Sequence, residues 1–222
     1  MTSAARRMDP MQTDALREMA NIGSGHAATV LSQLTGLRIM IDVPEVCVAP
    51  FDGLLGWLPR SERSLVVLAT RMLGDLSGDT YFLLPEAGAR ALADLLLGRH
   101  VGSGVPLLEV ERSSLVEAGN IVASSFMNAL ARSVGRLLIP SVPTLQVCTH
   151  GEWHSAHADS EYVLLVETQF YFDAPPDGVS KIPSGMEHSL RGAFVFAPNA
   201  ASFDTLFHIL LGYGTEPAPK EA

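Results

Sequence analysis

Basic residues are scarce in this chain: 15 lysines and arginines stand against 24 aspartates and glutamates, leaving a formal charge of −9 at neutral pH. Sequence-independent nucleic-acid binding needs clustered cations. The nearest approaches to a cluster are Arg6-Arg7 and the pair Arg132 and Arg136, which argues against a nucleic-acid partner. Cysteine is scarcer still. Cys47 and Cys148 alone imply no disulfide framework and suit an intracellular, cytoplasmic setting. Long apolar runs are missing too: no stretch reaches the roughly 18 residues that mark a membrane-spanning helix. The opening MTSAARRMDPMQTDALREMA carries two arginines but no apolar core, so neither a secretory signal nor membrane insertion is expected.

What is present is a polar pattern stated twice. Asp14, Glu18 and Asn21 are followed by Pro44, and Ser113, Glu117 and Asn120 by Pro143, each member recurring 99 residues on. The surrounding order recurs as well. Asp9, Pro10 and Gln12 make a helix start, and Leu16, Met19, Gly23, Ala27, Val30, Leu31 and Leu34 fall on one helical stripe that stops at Gly36. IMIDVPEVCVAP, SLVVLATRM and TYFLLP then read as strands, with LGDLSGDT as a turn and Glu86 to Leu97 as a helix closing on Gly98. The second unit opens on LEVERSSLVEAGNIVASSFMNALARSV, whose core stripe is Leu115, Ala118, Val122, Phe126, Ala129 and Leu130. LLIPSVPTLQVCTH, EYVLLVETQFYF and GAFVFAP follow as strands, and Ala200 to Leu211 as a last helix.

The repeats differ in length at one place. Pro44 to Pro85 spans 41 residues and Pro143 to Pro198 spans 55, and the excess falls in DAPPDGVSKIPSGMEHS, a long hairpin loop by composition. The expected architecture is an α/β (α+β) fold: a pseudo-twofold internal repeat of antiparallel strands with two long exposed helices. Residues 1–9 read as a flexible N-terminus, 10–213 as a single domain made of repeats 10–99 and 105–213, and 214–222 as a disordered tail.

Helical geometry gives the triplets a direction. At 100° per residue, Glu18 lies about 40° from Asp14 and Asn21 about 20° to the other side, whereas the apolar stripe centres near 180°. Ser113, Glu117 and Asn120 behave the same way opposite Leu115, Val122 and Phe126. Solvent alone gives no reason to hold Glu and Asn in phase twice, since Asn is a mediocre helix former. Both triplets are therefore candidate functional surfaces.

On these residues the chain resembles the chemotaxis phosphatases of the CheC/CheX/FliY family, and within it the CheC type. That family's motif is Asp or Ser, Glu, Asn and Pro at this spacing, and EMANIGSGHAATVLSQLTG and EAGNIVASSFMNALA…PSVP look like CheC's two active helices. The resemblance covers residues 10–213. It implies a protein-aspartate phosphatase whose substrate is a phosphorylated response regulator of the CheY type. Asn21 and Asn120 would orient the hydrolytic water, and Glu18 and Glu117 would dock against the regulator's lysine. Asp14 and Ser113 would border the docking surface, while Pro44 and Pro143 would shape the chain after each helix. It implies no cofactor of the chain's own, Mg²⁺ being carried by the regulator, and a possible second partner in the CheD deamidase. The alternative is a non-catalytic adaptor that binds the regulator or CheD.

Other residues invite weaker readings. Cys148, His150, His154 and His157 lie in CTHGEWHSAH, but the spacing fits no standard zinc pattern, so a polar loop at a hairpin turn is expected and no metal site. Cys47 and Cys148 read as buried free thiols. His26 lies outside the polar arc. Gly23-Ser24-Gly25 lacks the lysine of a phosphate loop and reads as a place where another helix packs closely.

Overall fold

The computed structural model describes residues 10–51, 64–101, 106–156, 162–172 and 189–210. The N-terminal segment with Asp9, the long loop 173–188 and the tail 214–222 lie outside the described residues. Among the described residues, five helices and eight strands occur in the order α1 (Pro10–Thr35), β1 (Ile39–Asp42), β2 (Val46–Pro50), β3 (Leu65–Gly74), β4 (Gly78–Pro85), α2 (Glu86–Leu96), α3 (Glu109–Val134), β5 (Leu138–Pro140), β6 (Thr144–Cys148), α4 (His150–Ala156), β7 (Tyr162–Phe172), β8 (Ser189–Pro198) and α5 (Ala200–Leu210). The expected mixed α/β class with antiparallel pairing is what forms.

All eight strands join one sheet whose order is symmetric. From one edge inward run β1 and β2, β7 and β8; from the other, β5 and β6, β3 and β4; β4 and β8 meet at the centre. Each repeat contributes its hairpin to its own half and its edge strands to the opposite half. Thus β1 and β2 pair with β7, and β5 and β6 pair with β3.

IMIDVPEVCVAP, read as one strand, is two. Val43, Pro44 and Glu45 leave the ladder between β1 and β2, and both pieces continue along β7. Ser141, Val142 and Pro143 interrupt β5 and β6 in the same way along β3. A proline has no N–H to give the ladder, so each motif proline marks the break. Ser141 holds its break in place, its N–H donating to the Arg71 carbonyl at 3.0 Å and its hydroxyl accepting from the Arg71 N–H at 3.0 Å.

One face of the sheet carries the main core. Val66, Leu68, Phe82, Leu84, Phe194 and Phe196 pack there under α1 and α3, which lie side by side. Phe126 of α3 stacks on Phe194 with ring centroids 4.8 Å apart. Gly23 makes the helix crossing possible: a Cβ there would stand 2.8 Å from the Phe126 ring and 3.0 Å from its Cα. The close packing expected of the Gly23-Ser24-Gly25 cluster thus belongs to Gly23, whereas Gly25 faces open space. Both long helices end on a left-handed glycine, Gly36 at φ 67° and Gly135 at φ 62°, a conformation that costs other residues strain.

Two expected features of the helices turn out differently. Val30 and Leu34, assigned to the core stripe of α1, are 38% and 55% exposed. The buried face drifts along the helix, from Leu16, Met19 and Gly23 to Ala27, Ala28 and Leu31, a turn of roughly 90° at 100° per residue. Val30 and Leu34 keep the original direction and are carried out of the contact. The second difference is α4, where a polar turn was expected. Its Trp153 is 1% exposed and covers the other face of the sheet with Phe51, at 5.1 Å, and Tyr81, at 5.5 Å. That second, smaller core includes Leu65, Val67, Leu83, Val163, Leu165 and Val195.

Candidate functional site

The six polar motif residues stand where helical geometry predicts, on the outward faces of α1 and α3. Asp14, Glu18, Asn21, Ser113 and Glu117 are exposed, and Asn120 is half-buried. The bases of the triplets are fixed by the core: Leu16, Met19 and Ala20 on α1, and Leu115, Ala118 and Gly119 on α3, are all buried. Among the described residues, none of the six motif side chains hydrogen-bonds or ion-pairs within the chain. Helix-interior asparagines with no internal partner leave a carboxamide acceptor and donors for another molecule. Ser24 reinforces the first site from behind, its hydroxyl donating to the Asn21 backbone carbonyl at 3.0 Å.

The prolines are not part of these faces. Pro44 is exposed and Pro143 buried, each in the break between its two edge strands.

The two helices are not equally embedded. Eight residues of α1 are buried against twelve of α3, in helices of 26 residues each, so the second triplet sits on the more firmly held element. Its first turn is anchored further. Arg99 forms an ion pair with the buried Glu111, holding that carboxyl below the ordinary carboxylate range. An acid in the first turn also suits the positive end of the helix dipole. Beside Ser113 and Glu117 opens a groove of about 570 Å³, with Leu108, Arg112, Val116 and Leu145 among its walls. Arg112 ties α3 to β6 there, its Nη2 donating to the Leu145 carbonyl at 3.0 Å. Sequence reading missed this groove because Leu145 reaches it only through the pairing of β6 with β3. The half-burial of Leu145 and Val116 next to exposed polar residues has no periodic signature.

Among the described residues, no group of three His, Cys, Asp or Glu side chains is arranged to hold a metal ion. Of the histidine-rich string, Cys148 and His150 are described and His157 lies outside the described residues. Cys47 and Cys148 are free and half-buried rather than fully buried. Burial, then the charges of Glu45 and Glu167, push the Cys47 thiol up to about 11. Burial and then Glu152 also raise Cys148. Both therefore stay protonated at neutral pH and make poor nucleophiles. They pair on opposite sides of the sheet, with β7 and β3. Five strand spacings, on the order of 24 Å, separate them, too far for a disulfide. No described helix is long and apolar enough to cross a membrane.

Fold and site together define a protein with an internal twofold repeat that presents a Glu/Asn pair on each of two paired helices. Comparison with known proteins gives that class a family. The model of the CheC-like family matches twice, at residues 11–48 and 110–147, each match spanning one triplet and its proline. The chain is thus similar to the CheC-like family at both of its motif-bearing segments. It is 29% identical to the CheY-P phosphatase CheC of Bacillus subtilis over 203 residues, covering 88% of this chain and 92% of that protein. It is 25% identical to the flagellar motor switch phosphatase FliY of B. subtilis over 164 residues, 73% of this chain but only 43% of that protein. The crystal structure of Thermotoga maritima FliY shares the fold, with a TM-score of 0.72 at 21% identity over 93% of this chain and 99% of that one.

Proposed function

We propose that this protein is a phosphatase for the phosphorylated aspartate of a CheY-type response regulator, working in the cytoplasm through two helix-borne sites. The observation that carries the reading is the pair of outward Glu/Asn sets, each without an internal partner and each inside a family match. The names of the B. subtilis relatives, a CheY-P phosphatase and a motor switch phosphatase, supply the substrate class.

The chemistry asks little of the protein beyond placement. Hydrolysis of an acyl phosphate needs a water in line with the phosphorus, and phosphoryl transfer is governed by positioning and electrostatics. In this reading the Asn21 or Asn120 carboxamide enters the regulator's site. Its oxygen accepts a hydrogen from the water, which aims an oxygen lone pair at phosphorus, and the water oxygen displaces the aspartate carboxylate. Glu18 or Glu117, one turn away, pairs with a lysine of the regulator and fixes the register by a charge-assisted bond. The Mg²⁺ that offsets the phosphoryl charge is the regulator's own. Asp14 and Ser113 border the contact.

The test follows decay of a phosphorylated regulator with wild type, Asn21→Ala, Asn120→Ala and the double variant. Loss of water positioning costs roughly 10²-fold at the affected site. Each single variant is expected to keep the activity of its untouched site, and the double variant to leave the regulator at its intrinsic decay rate. A double variant as active as wild type removes the assignment. Wild type that binds the phosphorylated regulator without accelerating its decay makes the protein an adaptor instead.

A further inference from the structure

The two motif faces are surrounded by different chemistry. Beside the second lies the groove of about 570 Å³, with apolar walls from Leu108, Val116 and Leu145 and with Ser113 and Glu117 on its rim. Leu108 is 60% exposed. Leu145 rises from β6 on the helix-covered face, opposite Leu68, and the bond from Arg112 to its carbonyl holds the two walls together. Ninety-nine residues earlier, Val116 is replaced by Arg17, Arg112 by Thr13 and Leu108 by Asp9. Arg17 is exposed. On the first face an exposed cation therefore stands where the second has the apolar Val116.

An exposed apolar cleft rimmed by polar residues marks a place where another molecule sits. Two rim residues here belong to the motif itself, so an occupant of the groove also touches the Glu117 face. That continuity selects the occupant. We infer that the second site holds its phosphorylated regulator by seating a large apolar side chain, borne near the phosphorylated aspartate, in the groove formed by Leu108, Val116 and Leu145, whereas the first site, with Arg17 in the place of Val116, does not make this contact. The inference rests on the phosphatase reading for the identity of the partner. It adds a difference in how the two sites recognise one substrate: a desolvated apolar contact at Val116 in the second, and a salt-sensitive charge, Arg17, at that position in the first.

The test isolates each site in the full-length chain. In the Asn21→Ala background only the second site turns over, and in the Asn120→Ala background only the first. Into each, Val116→Arg is introduced, copying the residue that the first helix already tolerates. Leu108→Ser is the companion variant, since serine is a better helix N-cap than leucine and a loosened helix cannot explain its effect. The probe is a CheY-type receiver domain phosphorylated with acetyl phosphate in the presence of Mg²⁺. With only the second site working, each variant is expected to raise KM about tenfold, the loss of one buried apolar contact, with kcat within twofold. With only the first site working, neither variant is expected to change KM. Unchanged KM in the Asn21→Ala background overturns the groove assignment, as does an equal rise in both backgrounds. If wild type gives no turnover, affinity for the same domain held with beryllofluoride is read instead. Weakened binding in the groove variants then upholds docking while the phosphatase reading fails, and unaltered binding or none overturns the groove as well.

Discussion

Gly23 and Gly25 sit two residues apart on α1, and their surroundings give them opposite roles. A methyl group on Gly23 would meet the Phe126 ring at 2.8 Å and its Cα at 3.0 Å, and the backbone cannot yield as a flexible side chain would. Gly23→Ala is therefore expected to destabilise by about 1–3 kcal/mol, the range for overpacked cores. Gly25 has nothing within 4 Å of its would-be Cβ and is exposed. Gly25→Ala is expected to stabilise by about 0.5–1 kcal/mol through helix propensity alone. Urea unfolding midpoints of the two variants check this, and equal shifts of either sign would refute the account of the crossing. The sequence suggested close packing for this cluster but not which glycine provides it. That depends on Phe126, about a hundred positions away, which no local pattern reveals.

At the scale of elements, the long helices and hairpins were legible because their apolar periodicity is strong. The short α4 was not, although a signal for it exists. Thr149-His-Gly-Glu152 is a capping box: the Thr149 N–H donates to Glu152 Oε2 at 2.8 Å, its hydroxyl to the same oxygen at 2.9 Å, and the Glu152 N–H to the hydroxyl at 3.3 Å. The glycine and the polar residues of the string read as a loop at a hairpin turn instead. The cap sets Trp153 into the second core, so Trp153→Ala is expected to cost about 3–5 kcal/mol and Thr149→Ala about 1 kcal/mol, measured by denaturant unfolding. The cap also carries a pH signature. The Thr149 N–H first, then its hydroxyl, hold the Glu152 carboxyl below the ordinary carboxylate range. A group whose folded pKa is depressed adds stability above its unfolded value, about 4.3 for glutamate, and loses it as pH falls through the folded value. Wild type is thus expected to be more stable than Glu152→Gln at pH 7, with the gap closing below about pH 4. A gap that stays constant down to pH 2 would show that the carboxylate contributes nothing through this cap.

For the molecule as a whole, the repeat was legible and the exchange of edge strands was not. Alternating apolar residues in β1, β2, β5 and β6 look the same whichever hairpin they join, so only the folded chain shows that each repeat completes the other's half of the sheet. The two long helices have also diverged where they meet. The counterparts of Gly23 and Phe126, 99 residues away in each direction, are Val122 and Ala27. The hole is on α1 and the knob is on α3. Two copies of the first repeat would set Gly23 against Ala27 and leave a void, while two copies of the second would drive Val122 against Phe126. Pairing is thus specified between unlike repeats, and neither is expected to substitute for the other. Fragments 10–101 and 106–210, produced separately, are expected to lack a cooperative thermal transition, because each has lost the strand partner of its own edge strands and half of the helix layer. Mixed, they are expected to restore a single transition and the near-ultraviolet signature of packed aromatics such as Phe126 on Phe194. A fragment that folds cooperatively by itself would show that the exchanged strands are dispensable. A stable homodimer of the first fragment, detected by its sedimentation, would show that Gly23 and Phe126 do not set the partner.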